Sequence, residues 1–174
     1  DGAELTKLTA SDAAANDRFG NSITVSGDGN TIVVGSIFDD DGPTNSGSVY
    51  VFDRAGTELA KLTAFDTASA NEFGRSISVS ADGNTIVVGA MLDDDGGSRS
   101  GSAYVFQRNA DGNFVDAQGN IYGPNGIIGT QTIGGGSETV SGALIISDVD
   151  AGEASFQEVM AGTEGDNGYG SFEL

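Results

Sequence analysis

Cysteine and histidine are both missing from the 174 residues. Without cysteine there are no disulfides, no zinc-thiolate sites and no thiol nucleophile. Without histidine there is no Ser-His-Asp catalysis, no imidazole-bound metal and no side chain whose ordinary pKa lies near neutrality. Proline is scarce, 2 against 28 glycines, so turns abound. Positive charge is thin as well: 7 Lys and Arg face 26 Asp and Glu, a net charge of −19. That balance repels phosphates, so nucleic acid and anionic membranes are not expected partners. Divalent cations or a salty medium suit it better. The longest apolar runs, such as TIVV at 31–34, are far too short for a bilayer, so no membrane insertion is expected. No secretory leader is recognisable, and Asp1 is no initiator methionine. The expectation is an N-terminus processed, trimmed or cut from something longer.

What the chain does have is a repeat. An offset of 54 aligns Leu5 with Leu59, Phe19-Gly20 with Phe73-Gly74, Asp28 with Asp82, Asp39 with Asp93 and Tyr50 with Tyr104, without a gap. Roughly 60% of the aligned positions are identical, which means duplication rather than shared composition. Within one unit the signals are those of strands. SITVS (Ser22–Ser26) and TIVVG (Thr31–Gly35) flank GDGN, whose Asp-Gly pair suits the positive-φ geometry of a tight hairpin. SVYVF (Ser48–Phe52) is apolar enough to be buried on both faces. TELAKLTA (Thr57–Ala64) is expected to be a fourth strand with Leu59 and Leu62 inward, although it has a short-helix alternative. By the same logic ELTKLTA (Glu4–Ala10) is expected to be the fourth strand of a preceding unit. Four antiparallel strands per unit make a propeller-type blade.

The stretch DRFGNSITVSGDGNTIVVGS, followed by DDDG and SGSVYVF, resembles the bacterial FG-GAP repeat, related to integrin-α-type propeller blades. The Phe-Gly pair opens the unit, VVGS and VVGA stand where the family has Gly-Ala-Pro, and GSVYVF and GSAYVF match the strand that follows. Neither copy carries the family's proline. The resemblance implies propeller blades over residues 1–108. Two units cannot close a ring, so a longer array or pairing with other chains is implied.

Residues 109–136 form a Gly/Asn/Asp-rich connector with short strands expected at Phe114–Val115 and Asn120–Tyr122, in a position to complete the second blade. IGGGSE reads as a linker. In residues 137–174 the core SGALIISDVDAGEASF (Ser141–Phe156) and the GYGSF strand resemble the VCBS repeat, a cadherin-like β-sandwich module of bacterial surface proteins, here covering about its first half. The fold class expected is therefore all-β: two open, four-stranded blades plus a partial sandwich.

The acid clusters are the candidate sites. DDDG closes with glycine in both copies, at Asp39, Asp40, Asp41 and at Asp93, Asp94, Asp95. Calcium takes six to eight hard oxygens at about 2.3–2.6 Å, from carboxylates and carbonyls, and an Asp-rich turn supplies them. Asp39, Asp41 and Asn45 are the first ligands to name, with Asp93, Asp95 and Ser98 as equivalents. Two other readings stay open: a solvated acidic loop, and aspartates capping backbone N–H groups in turns. Asp148, Asp150 and Glu153 in SDVDAGE form a third candidate, because the VCBS resemblance implies calcium at a strand end. Asp12 and Asp66 read as turn or cap residues, and the recurring Phe19, Phe73, Tyr50, Tyr104, Phe52 and Phe106 as blade core.

Carboxylate pairs are also what glycosidases use. Here they sit in duplicated loops, and nothing singles out one pair as an active site. The expectation is no enzyme but an extracellular, secreted or cell-surface bacterial adhesion segment, calcium-stabilised, with a glycan or protein ligand on a cell surface or matrix. One alternative is a structural protomer that self-associates through edge strands into a filament or surface layer. Another is the accessory propeller of a secreted hydrolase.

Overall fold

The computed structural model describes residues 2–131, which hold ten strands and no helix. The described residues are all-β, as expected. One sheet takes β1 (Phe19–Val25), β2 (Thr31–Ser36), β3 (Ser48–Asp53) and β4 (Glu58–Leu62) in chain order. The other takes β5 (Phe73–Val79), β6 (Thr85–Ala90), β7 (Ser102–Arg108), β8 (Phe114–Val115), β9 (Asn120–Gly123) and β10 (Gly126–Thr130), also in chain order. Every pairing is antiparallel.

The two copies use the same local chemistry. In each β1–β2-type hairpin the glycine of Asp-Gly-Asn adopts φ 71° (Gly29) or 72° (Gly83). The aspartate then accepts a hydrogen bond from the amide two residues on, 3.0 Å for Asn30 and 3.1 Å for Asn84. The Phe-Gly pair makes a bulge: register slips between Phe19 and Ser22 and again between Phe73 and Ser76. Gly47, at φ 86°, lies where the two blades meet. A Cβ there would stand 2.2 Å from the carbonyl oxygen of Phe73.

The blades stack face to back. One face of the first sheet carries Val33, Val49, Val51, Ala60 and Leu62, and it packs on Phe73, Ile86, Val88, Tyr104 and Phe106 of the second. Its other face carries Val34, Tyr50 and Phe52, covered by Leu8, Ala10 and Phe19. Both faces of β3 are thus buried, while β7 alternates, with Tyr104 and Phe106 buried and Val105 exposed. The periodic aromatics are core. Phe73 meets Tyr104 at 5.4 Å and Phe106 at 6.1 Å between ring centroids, both edge-to-face. Such pairs add about 0.5–1.5 kcal/mol each beyond the area they bury.

Three expectations change. Glu4–Ala10 is not a strand: none of the ten strands pairs with it, and it lies against the first blade through Leu8 and Ala10. In β4 it is Ala60 and Leu62 that are buried, whereas Leu59 stays half-buried. The cause is a register slip opposite Val51 and Phe52, where Ala60 pairs with Val51 but Glu58 with Phe52, leaving Leu59 outside the alternation. The connector adds its strands to the second sheet. β8 falls at Phe114–Val115 as expected, β9 runs one residue further than expected, to Gly123, and a further strand, β10, follows. It folds back on β9 across Pro124-Asn125, with Gly123 paired to Gly126 at φ 89°. The VCBS-like segment, with Asp148, Asp150 and Glu153, lies outside the described residues.

Candidate functional site

β3 and β7 each present a tyrosine toward an acidic loop, and the site is built around those two phenols. In the first blade the loop after β2 turns back so that Asp39 is buried, with its own carbonyl accepting from the Gly47 amide at 3.2 Å. The Tyr50 hydroxyl lies 2.5 Å from Asp39 Oδ2 and 2.7 Å from Asp12 Oδ1. Its single proton serves one acceptor at a time, so the second carboxylate needs another donor.

Lys61 supplies it. β4 pairs Lys61 directly with Tyr50, which aims the ammonium at the same carboxylates. Lys61 Nζ stands 2.6 Å from Asp12, 3.2 Å from Asp39 and 2.6 Å from Asp41. The lysine side chain is only 6% exposed, and its charge also lies 5.3 Å from the centre of the Tyr50 ring. One cation therefore holds together three acids from two loops.

The electrostatics follow. Burial alone would lower the Lys61 pKa, but hydrogen bonds to Asp12 and Asp41 and the charge of Asp39 raise it above the ordinary lysine value. Burial pushes Asp12 up, yet Lys61 and Tyr50 outweigh it and hold its carboxyl below the usual 3.8. Burial and the adjacent Asp39 and Asp12 carboxylates drive Tyr50 far above a free phenol. Near neutral pH the lysine is therefore charged and the phenol neutral.

The second blade repeats the acids and the phenol. The Tyr104 hydroxyl lies 2.8 Å from Asp66 Oδ1 and 2.9 Å from Asp93 Oδ2. The Asp95 amide donates to Asp93 Oδ1 at 3.3 Å, as the Asp41 amide does to Asp39 Oδ1 at 3.1 Å. The lysine has no counterpart in the second blade. At the offset of 54 its place is taken by Val115, and β8 pairs Val115 with Gln107 rather than with Tyr104. Accordingly Asp95 is raised above 3.8, first by its hydrogen bond with Asp66 and then by the charges of Asp93 and Asp66. Burial also raises Tyr104, together with its bonds to Asp66 and Asp93.

Of the residues expected to ligate a metal, Asp39 and Asp41 stand together, joined by Asp12; Asp93, Asp94 and Asp95 also converge. Asp40 and Asn45 do not enter the first group. Instead Asp40 Oδ1 accepts from the Asn45 amide at 2.6 Å. Ser98 is exposed. Asp12 and Asp66 are cluster members rather than turn caps. The signal was available: both lie on the offset of 54 and both sit 38 residues before their tyrosine. The sequence reading also passed over Lys61 and Asp116. Asp116 is a buried carboxylate satisfied by the amides of Gln118 and Asn120, the Asn120 side chain and the Tyr122 hydroxyl. Each cluster opens on a cavity, about 540 Å3 beside Asp12, Asp41 and Lys61 and about 390 Å3 beside Asp66, Asp95 and Tyr104.

The FG-GAP repeat model matches residues 3–52 and 57–106, more than half of the chain. The chain belongs to the FG-GAP repeat family. No curated protein and no solved structure matches it. The boundary between the two FG-GAP matches falls between β3 and β4. Lys61 thus belongs to the second repeat, while the three acids it binds belong to the first. FG-GAP repeats are binding or structural units rather than catalytic ones, and the arrangement agrees in kind.

Proposed function

We propose that the chain is a non-catalytic binding segment of a large extracellular bacterial adhesion protein, with calcium-stabilised blades whose loops contact a glycan or protein on a cell surface or matrix. The observation that carries this reading is the doubling of the site. The same acids and the same tyrosine recur in both blades, engaged with one another rather than arranged around a reacting atom. Lacking histidine and cysteine, the chain has no imidazole base and no thiol nucleophile to add to them. No helix among the described residues is long and apolar enough to cross a membrane. The test is surface plasmon resonance of the full chain over immobilised glycans and matrix proteins, with and without millimolar Ca2+. Saturable binding without turnover supports the reading; hydrolysis of an immobilised glycan overturns it.

A second reading, a structural protomer, draws on one observation. Val33 and Val51 of the first blade are completely buried beneath the second, whereas their counterparts Val87 and Val105 are 37% and 51% exposed. A further blade from another chain would cover them. Sedimentation velocity and electron microscopy of the full chain decide this: filaments favour the protomer, and a monodisperse monomer at high concentration removes it.

A further inference from the structure

The sequence writes its fourth strand twice, and the fold pairs it only once. Glu4–Ala10, ELTKLTA, repeats Glu58–Ala64, ELAKLTA, at the offset of 54, and differs only at Thr6. In the first blade this segment forms β4 along the outer edge of β3. Leu62 and Ala64 there pack on the second blade, while Lys61 turns back to the acids of the first. At the N-terminus the segment holds the same place with no sheet behind it. Leu8 and Ala10 lie on the first blade, and Leu5 and Lys7 are exposed. Lys7 makes no ion pair among the described residues.

The second blade has the matching gap. β8 meets β7 only at Gln107 and Arg108, so Ala103–Phe106 have no strand on their outer side among the described residues. Their counterparts, Val49–Phe52, are the residues that β4 pairs. Such an open edge is a template for another strand. The cavity of about 390 Å3 runs along it, beside Ser102, Ala103, Tyr104 and Val105, with Asp66 and Asp95 at its wall. The sheet faces match in the same way. Where the blades meet, Val33 and Val51 of the first and Phe73 and Ile86 of the second are all at 0% exposure. At the two outer faces the counterparts are not covered: Val87 and Val105 are exposed, and Phe19 and Ile32 are half-buried. Each end of the chain carries one half of the contact that joins its two blades.

We infer that copies of this chain join head to tail, with Glu4–Leu8 of one copy adding to β7 of the next as its fourth strand. Carried over by 54, the register of β3 with β4 sets Leu8 opposite Ala103, Lys7 opposite Tyr104 and Thr6 opposite Val105. Lys7 then stands to Asp66, Asp93 and Asp95 as Lys61 stands to Asp12, Asp39 and Asp41. Within one chain the two partners are kept apart, because Leu8 and Ala10 hold the segment to the face of the first blade opposite the second. The contact is heterologous, so it grows a filament or closes a ring. Three or four copies would supply about the six to eight blades of a closed propeller. This rests on the structural-protomer reading and names the contact behind it.

The experiment is sedimentation velocity of the full chain over a range of concentrations, in about 0.15 M salt to screen the repulsion between copies of net charge −19. Alongside it, Thr6→Cys and Val105→Cys chains are mixed and oxidised; the unaltered chain has no cysteine to interfere. Residues directly opposite in an antiparallel pair lie within disulfide reach. Thr6, Lys7, Val87 and Val105 are all exposed, so variants at these positions keep the fold, which circular dichroism checks. Expected is concentration-dependent association that Lys7→Glu weakens at least about tenfold. Expected too is a disulfide between the two mixed chains, much weaker when Val87→Cys, on the neighbouring strand, replaces Val105→Cys. Association unmoved by Lys7→Glu, or association without a disulfide between positions 6 and 105, overturns the strand donation and leaves the protomer reading standing. A monomer at every concentration overturns both.

Discussion

The first blade and the second carry almost the same strands, yet they meet different surroundings. Val33 and Val51 are at 0% exposure; Val87 and Val105, identical in residue and register, are not. Tyr50 stands against a lysine and Tyr104 does not. The sequence of a strand therefore sets its pairing and its two faces, but its neighbours decide which face is core and which acids are neutralised. A fully buried valine gains about 1.5–3 kcal/mol over an exposed one, so the same residue type carries very different weight in the two copies.

The comparison is broken most severely by charging the matched valines. Val51→Asp buries an unpaired carboxylate and is expected to cost about 4 kcal/mol or more. Val105→Asp, on the open face, should stay within about 0.5 kcal/mol. Urea denaturation of both variants measures the difference, and equal losses would show that the second blade's outer face is covered in solution. Next comes Lys61→Ala, which strips the cation from three acids. Breaking a buried pair from one side costs about 3–5 kcal/mol, and differential scanning calorimetry should show a correspondingly large drop in Tm. Smaller again is Tyr50→Phe against Tyr104→Phe. Each deletes a hydrogen bond to a carboxylate, worth about 1.5–3 kcal/mol. The loss should be less at Tyr50, where Lys61 still serves both Asp12 and Asp39, than at Tyr104; thermal melts with chelator rank them.

The subtlest difference is in pH dependence, and its sign is opposite in the two blades. Asp12, lowered below 3.8 when folded, contributes stability that is complete above 3.8 and is lost as pH falls through its folded value. Asp95, raised above 3.8, costs stability at higher pH, and the cost fades as pH falls through its raised value. Urea midpoints from neutral pH downward should therefore lose their upper inflection on Asp95→Asn and their lower one on Asp12→Asn. Variants that shift the same inflection would remove the distinction.

Much of the fold was legible because it is local. The offset of 54, the Asp-Gly-Asn hairpins and the aromatic periodicity all depend on residues close in sequence, and the strands lie within a few residues of where those signals place them. The candidate site was legible only by half. Asp39, Asp41, Asp93 and Asp95 announce themselves as a run, but Asp12 and Asp66 join them across 38 residues of separation from their tyrosines, which no short motif encodes. Lys61 was hidden for a different reason. In ELAKL a lysine between Ala60 and Leu62 reads as the solvent side of a half-buried strand, and here both sides of the strand are interior. β10 was hidden by composition: its Gly-Ile-Ile-Gly-Thr lies inside a glycine-rich tract that resembles a linker.

The phase between repeat and blade has one more consequence. A repeat beginning just ahead of Glu58 delivers its lysine backward, to acids of the repeat before it. ELTKLTA carries the same lysine, Lys7, exposed, with no partner strand in these residues. Genetic gain or loss of a whole repeat would therefore leave every blade that is followed by such a repeat with its own counter-charge. Only a blade followed by some other sequence, as the second is here, would stand without that counter-charge. An array built this way records in its charge which blade stands last.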